Sequence, residues 1–189
     1  PQVPVYVVGT SMGGAVTMKA SVNYGLKADG LVLVAPAIWG WRSMNPILKS
    51  ALWVTAHTVP DKTATGSQLE IWPSDNIAWL KAYSKDRYNI KQGRFDTLYG
   101  LVTLMDEAAA AAPKINVPVL YLYGLKDQVV PETPSRKVMA SLTAPNKQMI
   151  YDKGYHMLLH DLQRETVYRD ILRWVGRDKV ATLVSTGRP

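Results

Sequence analysis

Val5-Tyr6-Val7-Val8-Gly9-Thr10-Ser11-Met12-Gly13-Gly14 is the stretch on which the reading of this 189-residue chain turns. Val5 to Val8 are a continuous apolar run and predict a buried strand, Ala15 to Ala20 have helical character, and Gly-x-Ser-x-Gly stands between them. That order has a chemical use. A serine lifted onto a tight strand-to-helix turn projects its hydroxyl beyond the end of a sheet. Its backbone there is strained, and side chains two positions away on either side would collide with neighbouring elements, so Gly9 and Gly13 are expected to leave the space. The start of the following helix offers N–H groups and partial positive charge to a developing oxyanion. Glycine-serine turns are common, so the flanking strand and helix carry the weight of this reading. Ser11 is the candidate nucleophile, and the rest of the chain has to supply a base and an acid.

Working outward, the helix runs to Tyr24 and is stopped by Gly25. Leu31 to Val34 read as a second short strand between Asp29-Gly30 and Ala35-Pro36. Strand, helix, strand at this spacing is a βαβ unit and implies a parallel sheet with right-handed crossovers. The strand pattern returns at Val117 to Tyr123, with Pro118 near its start where a missing N–H is tolerated. A loop at Gly124–Asp127, a helix at Pro134–Leu142, a fourth strand at Lys147–Tyr151 and a last helix at Leu162–Val175 complete the core.

Between these halves the character changes. Residues 39 to 112 hold five of the six tryptophans and show helical spacing at Pro46–Ala56, Pro73–Tyr83 and Thr97–Ala112, with Ser74 as the expected N-cap of the second helix. Pro60 to Gly66 reads as a loop, and no clear strand is visible in this segment. The expected organisation is a parallel-sheet core from residues 1–38 and 113–178, a helical insertion at 39–112 and a tail at 179–189.

Composition narrows the classes. Hydrophobic residues at 47% and charged residues at 20% are ordinary for a globular domain, and no apolar run approaches the roughly 18–20 residues of a membrane span. The absence of cysteine excludes disulfide frameworks, thiolate metal sites and cysteine nucleophiles. The net charge of +7 comes from scattered residues such as Lys81, Lys85, Arg87, Lys91 and Arg94, which read as a solvated surface rather than a nucleic-acid patch. It also suits weak attraction to anionic lipid. No metal or other cofactor is expected, since the few histidines lack ligand spacing with carboxylates. Pro1-Gln2-Val3 opens one step before a core strand, so the chain is expected to be the C-terminal part of a longer protein, with any targeting segment upstream out of view. A cytoplasmic or peripheral-membrane location is expected.

A serine hydroxyl needs a histidine to take its proton, and the histidine needs a carboxylate to fix its tautomer. His57 lies in the insertion and His160 at the start of the final helix, whereas His156 follows the last strand in Gly154-Tyr155-His156. Loops at the carboxyl ends of parallel strands converge on one crevice, so Ser11 and His156 can meet there. Asp127 follows the third strand at the same edge and is the candidate acid. Asp152 is nearer to His156 in sequence but sits at a strand end, and Asp161 reads as an N-cap or a solvated helix residue. Ser11, Asp127 and His156 then appear in the chain order of this type of elbow.

Gly9-Thr-Ser-Met-Gly-Gly14, Tyr123-Gly-Leu-Lys-Asp127-Gln-Val-Val-Pro131 and Gly154-Tyr-His156 resemble the corresponding motifs of α/β-hydrolases of the monoacylglycerol lipase and lysophospholipase-like group. The resemblance implies an α/β-hydrolase fold with a helical cap, Ser11 as nucleophile, Asp127 as acid, His156 as base and the Met12 N–H as one oxyanion donor. It implies hydrolysis of carboxylic esters of monoacylglycerol or lysophospholipid type through an acyl-enzyme on Ser11. A small-ester esterase, a proline-iminopeptidase-like peptidase and a non-catalytic binding protein are the alternatives on this fold. The insertion's apolar residues, Trp39, Trp41 and Trp53 foremost, are expected to contribute to an acyl-chain pocket, with amphipathic cap helices touching membrane lipid; the others pack the cap against the core. Family members carry further strands before the elbow and a second oxyanion donor from a loop there. This chain has neither, so Val5–Val8 is expected to form an exposed apolar edge, and the isolated chain to be inactive or to aggregate.

Overall fold

The computed structural model describes residues 3–65 and 71–185. Gly66 of the expected loop and residues 186–189 of the expected tail lie outside the described residues. Four parallel strands form the main sheet in the order β1-β2-β5-β6: β1 (Tyr6–Thr10), β2 (Gly30–Val34), β5 (Val119–Gly124) and β6 (Asn146–Tyr151). Helices α1 (Met12–Asn23), α5 (Glu132–Ser141) and α6 (Arg164–Ser185) complete the α/β layers.

β2 and β5 are buried along their whole length, which is why both read as unbroken apolar runs. Alternation sends Leu31, Leu33, Tyr121 and Tyr123 to one face, where they pack with Ala15 and Met18 of α1 and with Val138 and Met139 of α5. Val32, Val34, Leu120 and Leu122 face the other way, onto Leu158 and Val167. Among the described residues β1 is an edge strand, in line with the expected exposed apolar edge and against the expectation of a buried run at Val5–Val8: Val5 and Val8 are 55% and 52% exposed. The entry to β1 is pinned by Asp29, whose Oδ2 accepts from the Val5 N–H at 2.7 Å while its own N–H donates to the Val5 carbonyl at 2.7 Å.

The inserted segment holds α2 (Pro46–Thr58), α3 (Ile77–Lys85) and α4 (Phe95–Ala111). It also contains a short antiparallel ribbon, β3 (Thr63–Ala64) with β4 (Gly93–Arg94), where no strand was expected. Two residues per strand are too few to show a period of two. Neither α2 nor α3 has a fully buried residue, while α4 lies against the core and buries Val102, Ala108 and Ala111. The N-cap of α3 is Asn76, whose Oδ1 accepts from the Trp79 N–H at 3.1 Å; Ser74 does not cap this helix. α6 continues past the expected end at Val175, so residues 179–185 of the expected tail are helical. No helix among the described residues is long and apolar enough to cross a membrane.

Candidate active site

Ser11 stands between the end of β1 and the start of α1 with φ 52° and ψ −119°, a left-handed conformation that L-residues rarely adopt. Both of its backbone groups are held. Its N–H donates to the Val34 carbonyl at 3.0 Å, and its carbonyl accepts from Ala37 N–H at 2.8 Å as well as from Gly14 and Ala15 in α1. The turn is therefore fixed to β2 and to the segment after it, and its strain is held by those bonds. Ala35, fully buried at φ 42°, is a second strained residue beside it, with its N–H on the Leu122 carbonyl at 2.8 Å.

The glycines around Ser11 divide differently from expectation. A methyl on Gly9 would come within 2.6 Å of both the Gly13 carbonyl oxygen and Thr17 Oγ1. At Gly13 it would meet nothing within 4 Å; the tight position is Gly14, where it would lie 2.7 Å from Pro36 Cβ. α1 can approach the segment after β2 so closely because position 14 lacks a side chain; the lack of one at position 13 relieves no contact.

His156 Nε2 lies 2.8 Å from Ser11 Oγ, and His156 Nδ1 lies 2.8 Å from Asp127 Oδ2. A carboxylate only accepts, so Nδ1 carries the proton and Nε2 presents its lone pair to the serine hydroxyl. The Asp127 side chain is fully buried and that of His156 is 5% exposed. Asp127 Oδ1 accepts from the N–H groups of Val129 and Val130 at 2.8 and 2.9 Å, which orients Oδ2 toward the imidazole. The loops carrying Asp127 and His156 are joined through their backbones: Lys126 N–H donates to the Gly154 carbonyl at 2.8 Å and Leu125 N–H to the Tyr151 carbonyl at 3.0 Å. Such an arrangement can move a proton from a serine hydroxyl onto an imidazole and stabilise the resulting imidazolium. Met12 is the first residue of α1, where the N–H has no intrahelical acceptor.

The other two histidines do not join this set. His57 stacks on Trp53 and His160 on Trp79, in both cases with ring centroids 4.4 Å apart. Asp152 is exposed. Asp161 is neither an N-cap of α6 nor solvated: it is completely buried and bonded to Ser74 and Tyr155. Sequence reasoning missed that role, because Ser74 and Asp161 are far apart in the chain and each fits a local capping pattern.

The three tryptophans fall at two cavities. Trp39 lines an apolar cavity of about 390 Å³ between α2 and α4, with Met44, Leu48, Leu98 and Leu101 among its walls. Trp41 and Trp53 border a more open hollow of about 490 Å³ with Tyr99 and Lys49. Trp41 Nε1 donates to Thr103 Oγ1 at 3.0 Å, so this indole also fastens the segment before α2 to α4. Neither lining includes Ser11 or His156. Trp39 nevertheless follows closely on Ala37, the residue bonded to the Ser11 carbonyl. Among the described residues no cluster of three or more His, Asp or Glu side chains is placed to hold a metal ion.

Comparison with known proteins agrees with this geometry. A family model for serine aminopeptidase, S33, matches residues 1–163. Monoacylglycerol lipase of Mycolicibacterium smegmatis is 26% identical over 184 residues, covering 93% of this chain and 63% of that protein. Monoglyceride lipase of Rattus norvegicus is 27% identical over 185 residues, covering 93% and 59%. The chain thus spans about three fifths of the length of these curated relatives. Among solved structures, Paleococcus ferrophilus monoacylglycerol lipase superposes with a TM-score of 0.78 at 23% identity, covering 90% of this chain and 67% of that one. A soluble variant of monoglyceride lipase from Saccharomyces cerevisiae, in complex with a substrate analog, gives 0.75 at 16%, covering 91% and 64%. These likenesses show the α/β-hydrolase fold. The chain belongs to the serine aminopeptidase S33 family of that fold.

Proposed function

From that family membership and the site geometry, we propose that the protein is a serine hydrolase acting on carboxylic esters of monoacylglycerol or lysophospholipid type. The observation that carries the proposal is the hydrogen-bonded chain Ser11–His156–Asp127, 2.8 Å at each link. In this reading Ser11 Oγ attacks the ester carbonyl carbon as its proton passes to His156 Nε2, and Asp127 stabilises the imidazolium. The Met12 N–H donates to the oxyanion. Collapse of the tetrahedral intermediate breaks the bond to the alcohol oxygen, which takes the proton from His156, and leaves an acyl-enzyme on Ser11. Water, deprotonated by His156, then releases the carboxylic acid.

The substrate class rests on the cap. The cavity beside Trp39 is walled by aliphatic and aromatic groups and, among the described residues, has no carboxylate to receive a peptide's α-amino group. That favours an acyl chain over the peptidase alternative. Ile47, Leu48, Trp53 and Val54 of α2 are 81%, 46%, 54% and 48% exposed, with Lys49 among them, a surface suited to resting on anionic lipid from which such esters are drawn.

Labelling with a fluorophosphonate probe tests the chemistry. Label is expected on the wild-type protein, tested together with whatever sequence adjoins these 189 residues, and lost in Ser11→Ala; absence of Ser11-dependent labelling there defeats the enzymatic reading and leaves the binding-protein alternative. Rates on a series of p-nitrophenyl esters of increasing chain length test the substrate class, and a profile that favours the shortest esters defeats the lipid assignment in favour of a small-ester esterase.

A further inference from the structure

The loop carrying His156 is tied to the insertion by bonds that the Ser11–His156–Asp127 chemistry does not itself require. Ser74 Oγ donates to Asp161 Oδ1 at 2.6 Å, and Asp161 Oδ2 accepts the Tyr155 N–H at 2.8 Å. Ser74 and Asp161 are both completely buried. On the other side of His156, the Met157 N–H donates to the Pro73 carbonyl at 2.8 Å. Further along, Asn76 Nδ2 donates to the His160 carbonyl and Leu162 N–H to Asp75 Oδ1, each at 2.8 Å. The residues immediately before and after His156 thus have their N–H groups committed, directly or through Asp161, to residues 73 and 74.

A buried carboxylate is a poor device for stability alone, since well-packed apolar replacements of buried ionic groups are often as stable or more so. Burial raises the pKa of Asp161, an effect opposed by the hydrogen bonds from Ser74 and Tyr155. What the carboxylate supplies in return is two acceptors of fixed direction, one aimed at the backbone beside His156 and one at the insertion.

We propose that Asp161 is a positioning residue: it couples the Tyr155 N–H to Ser74, so that the reach of the His156 imidazole to Ser11 is set by where residues 73–76 sit. The proposal rests on the hydrolase reading for the step it serves, but the placement of the imidazole can be read without turnover. A displacement of about 1 Å in a catalytic group can cost on the order of 100-fold in rate. Loss of the Ser74 hydroxyl, which bonds to none of Ser11, His156 and Asp127 in the contacts above, is therefore expected to reach the chemistry.

The test uses the full chain with Ser74→Ala, Asp161→Asn and Asp161→Ala. Three quantities are followed: the rate of fluorophosphonate labelling of Ser11, the downfield proton resonance of His156 Nδ1–H, and Tm. Labelling is expected to slow several-fold in Ser74→Ala and about tenfold or more in Asp161→Ala. Asp161→Asn, which keeps an acceptor for Tyr155 N–H, should retain more rate than Asp161→Ala. The double variant Ser74→Ala/Asp161→Ala should be no slower than Asp161→Ala alone, and the His156 resonance should move or broaden in Ser74→Ala. A fall in Tm with labelling rate and resonance unchanged reduces the network to a structural strut and overturns the proposal. If Asp161→Ala does not fold, Ser74→Ala alone decides. If the wild type is never labelled at Ser11, the hydrolase reading fails, and the His156 resonance in Ser74→Ala still decides the positioning role.

Discussion

Gly124, at the end of β5, and Gly154, in the turn before His156, face each other with no room for a methyl between them. A Cβ on Gly124 would overlap the carbonyl of Gly154 and come 2.7 Å from the Tyr155 carbonyl oxygen; one on Gly154 would lie 3.0 Å from Gly124 Cα. These are contacts with backbone, which no rotamer change relieves. Gly124→Ala should therefore push the Asp127 and His156 loops apart and lower Ser11 labelling by about tenfold or more, on the scale of a misplaced catalytic group. Circular dichroism should remain close to wild type. Full labelling by a folded Gly124→Ala protein would show that the loops can separate without cost to the site.

The two glycines flanking Ser11 should behave oppositely. Gly9→Ala meets the Gly13 carbonyl and Thr17 Oγ1, both at 2.6 Å, and should cost about 1–3 kcal/mol as an overpacking change. Gly13→Ala meets nothing and lies within α1, so it should leave stability unchanged or raise it by up to about 1 kcal/mol. Denaturant melts of the two variants give the comparison, and equal losses would contradict it.

Asp161 should leave a mark on the pH dependence of stability. Its folded pKa is raised above the ordinary 3.8, first by burial, with the Asp75 charge adding to the effect and the Ser74 and Tyr155 bonds opposing it. A carboxyl raised in the folded state contributes most below its unfolded pKa, and that contribution is lost as pH climbs through the folded value. The Tm of wild type minus that of Asp161→Asn should therefore decrease between about pH 3 and pH 7. A difference that grows over this range would mean that the native state favours the ionised carboxylate.

On the proposed function, narrowing the cavity beside Trp39 should change which esters are accepted. Leu98→Trp adds bulk to a wall of that space, which measures about 390 Å³, at a site not bonded to Ser11 or His156. Hydrolysis of long-chain esters is expected to drop by at least about 10–200-fold, the range for a single methylene's worth of pocket discrimination, while short esters are cleaved as before. Parallel loss on both substrates would separate this cavity from acyl recognition.

Much of the core could be read from local pattern because parallel strands buried on both faces leave unbroken apolar runs, as Leu31–Val34 and Val119–Tyr123 do. The meeting of Ser11, Asp127 and His156 followed from one topological fact, that each comes just after a strand of one parallel sheet. What escaped was set by partners distant in the chain. Ser74 resembled an N-cap and Asp161 a helix-start residue, and only folding reveals that they bond to each other. Gly13 and Gly14 are indistinguishable as letters, yet Pro36 stands against only one of them. The left-handed Ala35 carries no sequence mark at all, since alanine gives no hint of a positive φ.

Among the described residues β1 lies at the margin of the sheet beside β2, and yet it delivers Ser11. Local opening in proteins begins where protection is thinnest, and an edge strand with half-exposed valines is such a place. Amide exchange in this chain should thus be faster along Tyr6–Thr10 than along Val119–Gly124, so that Ser11 rides on a less protected strand than the one leading to Asp127. In these 189 residues taken alone, opening at β1 carries Ser11 away from His156 before the strand leading to Asp127 is disturbed.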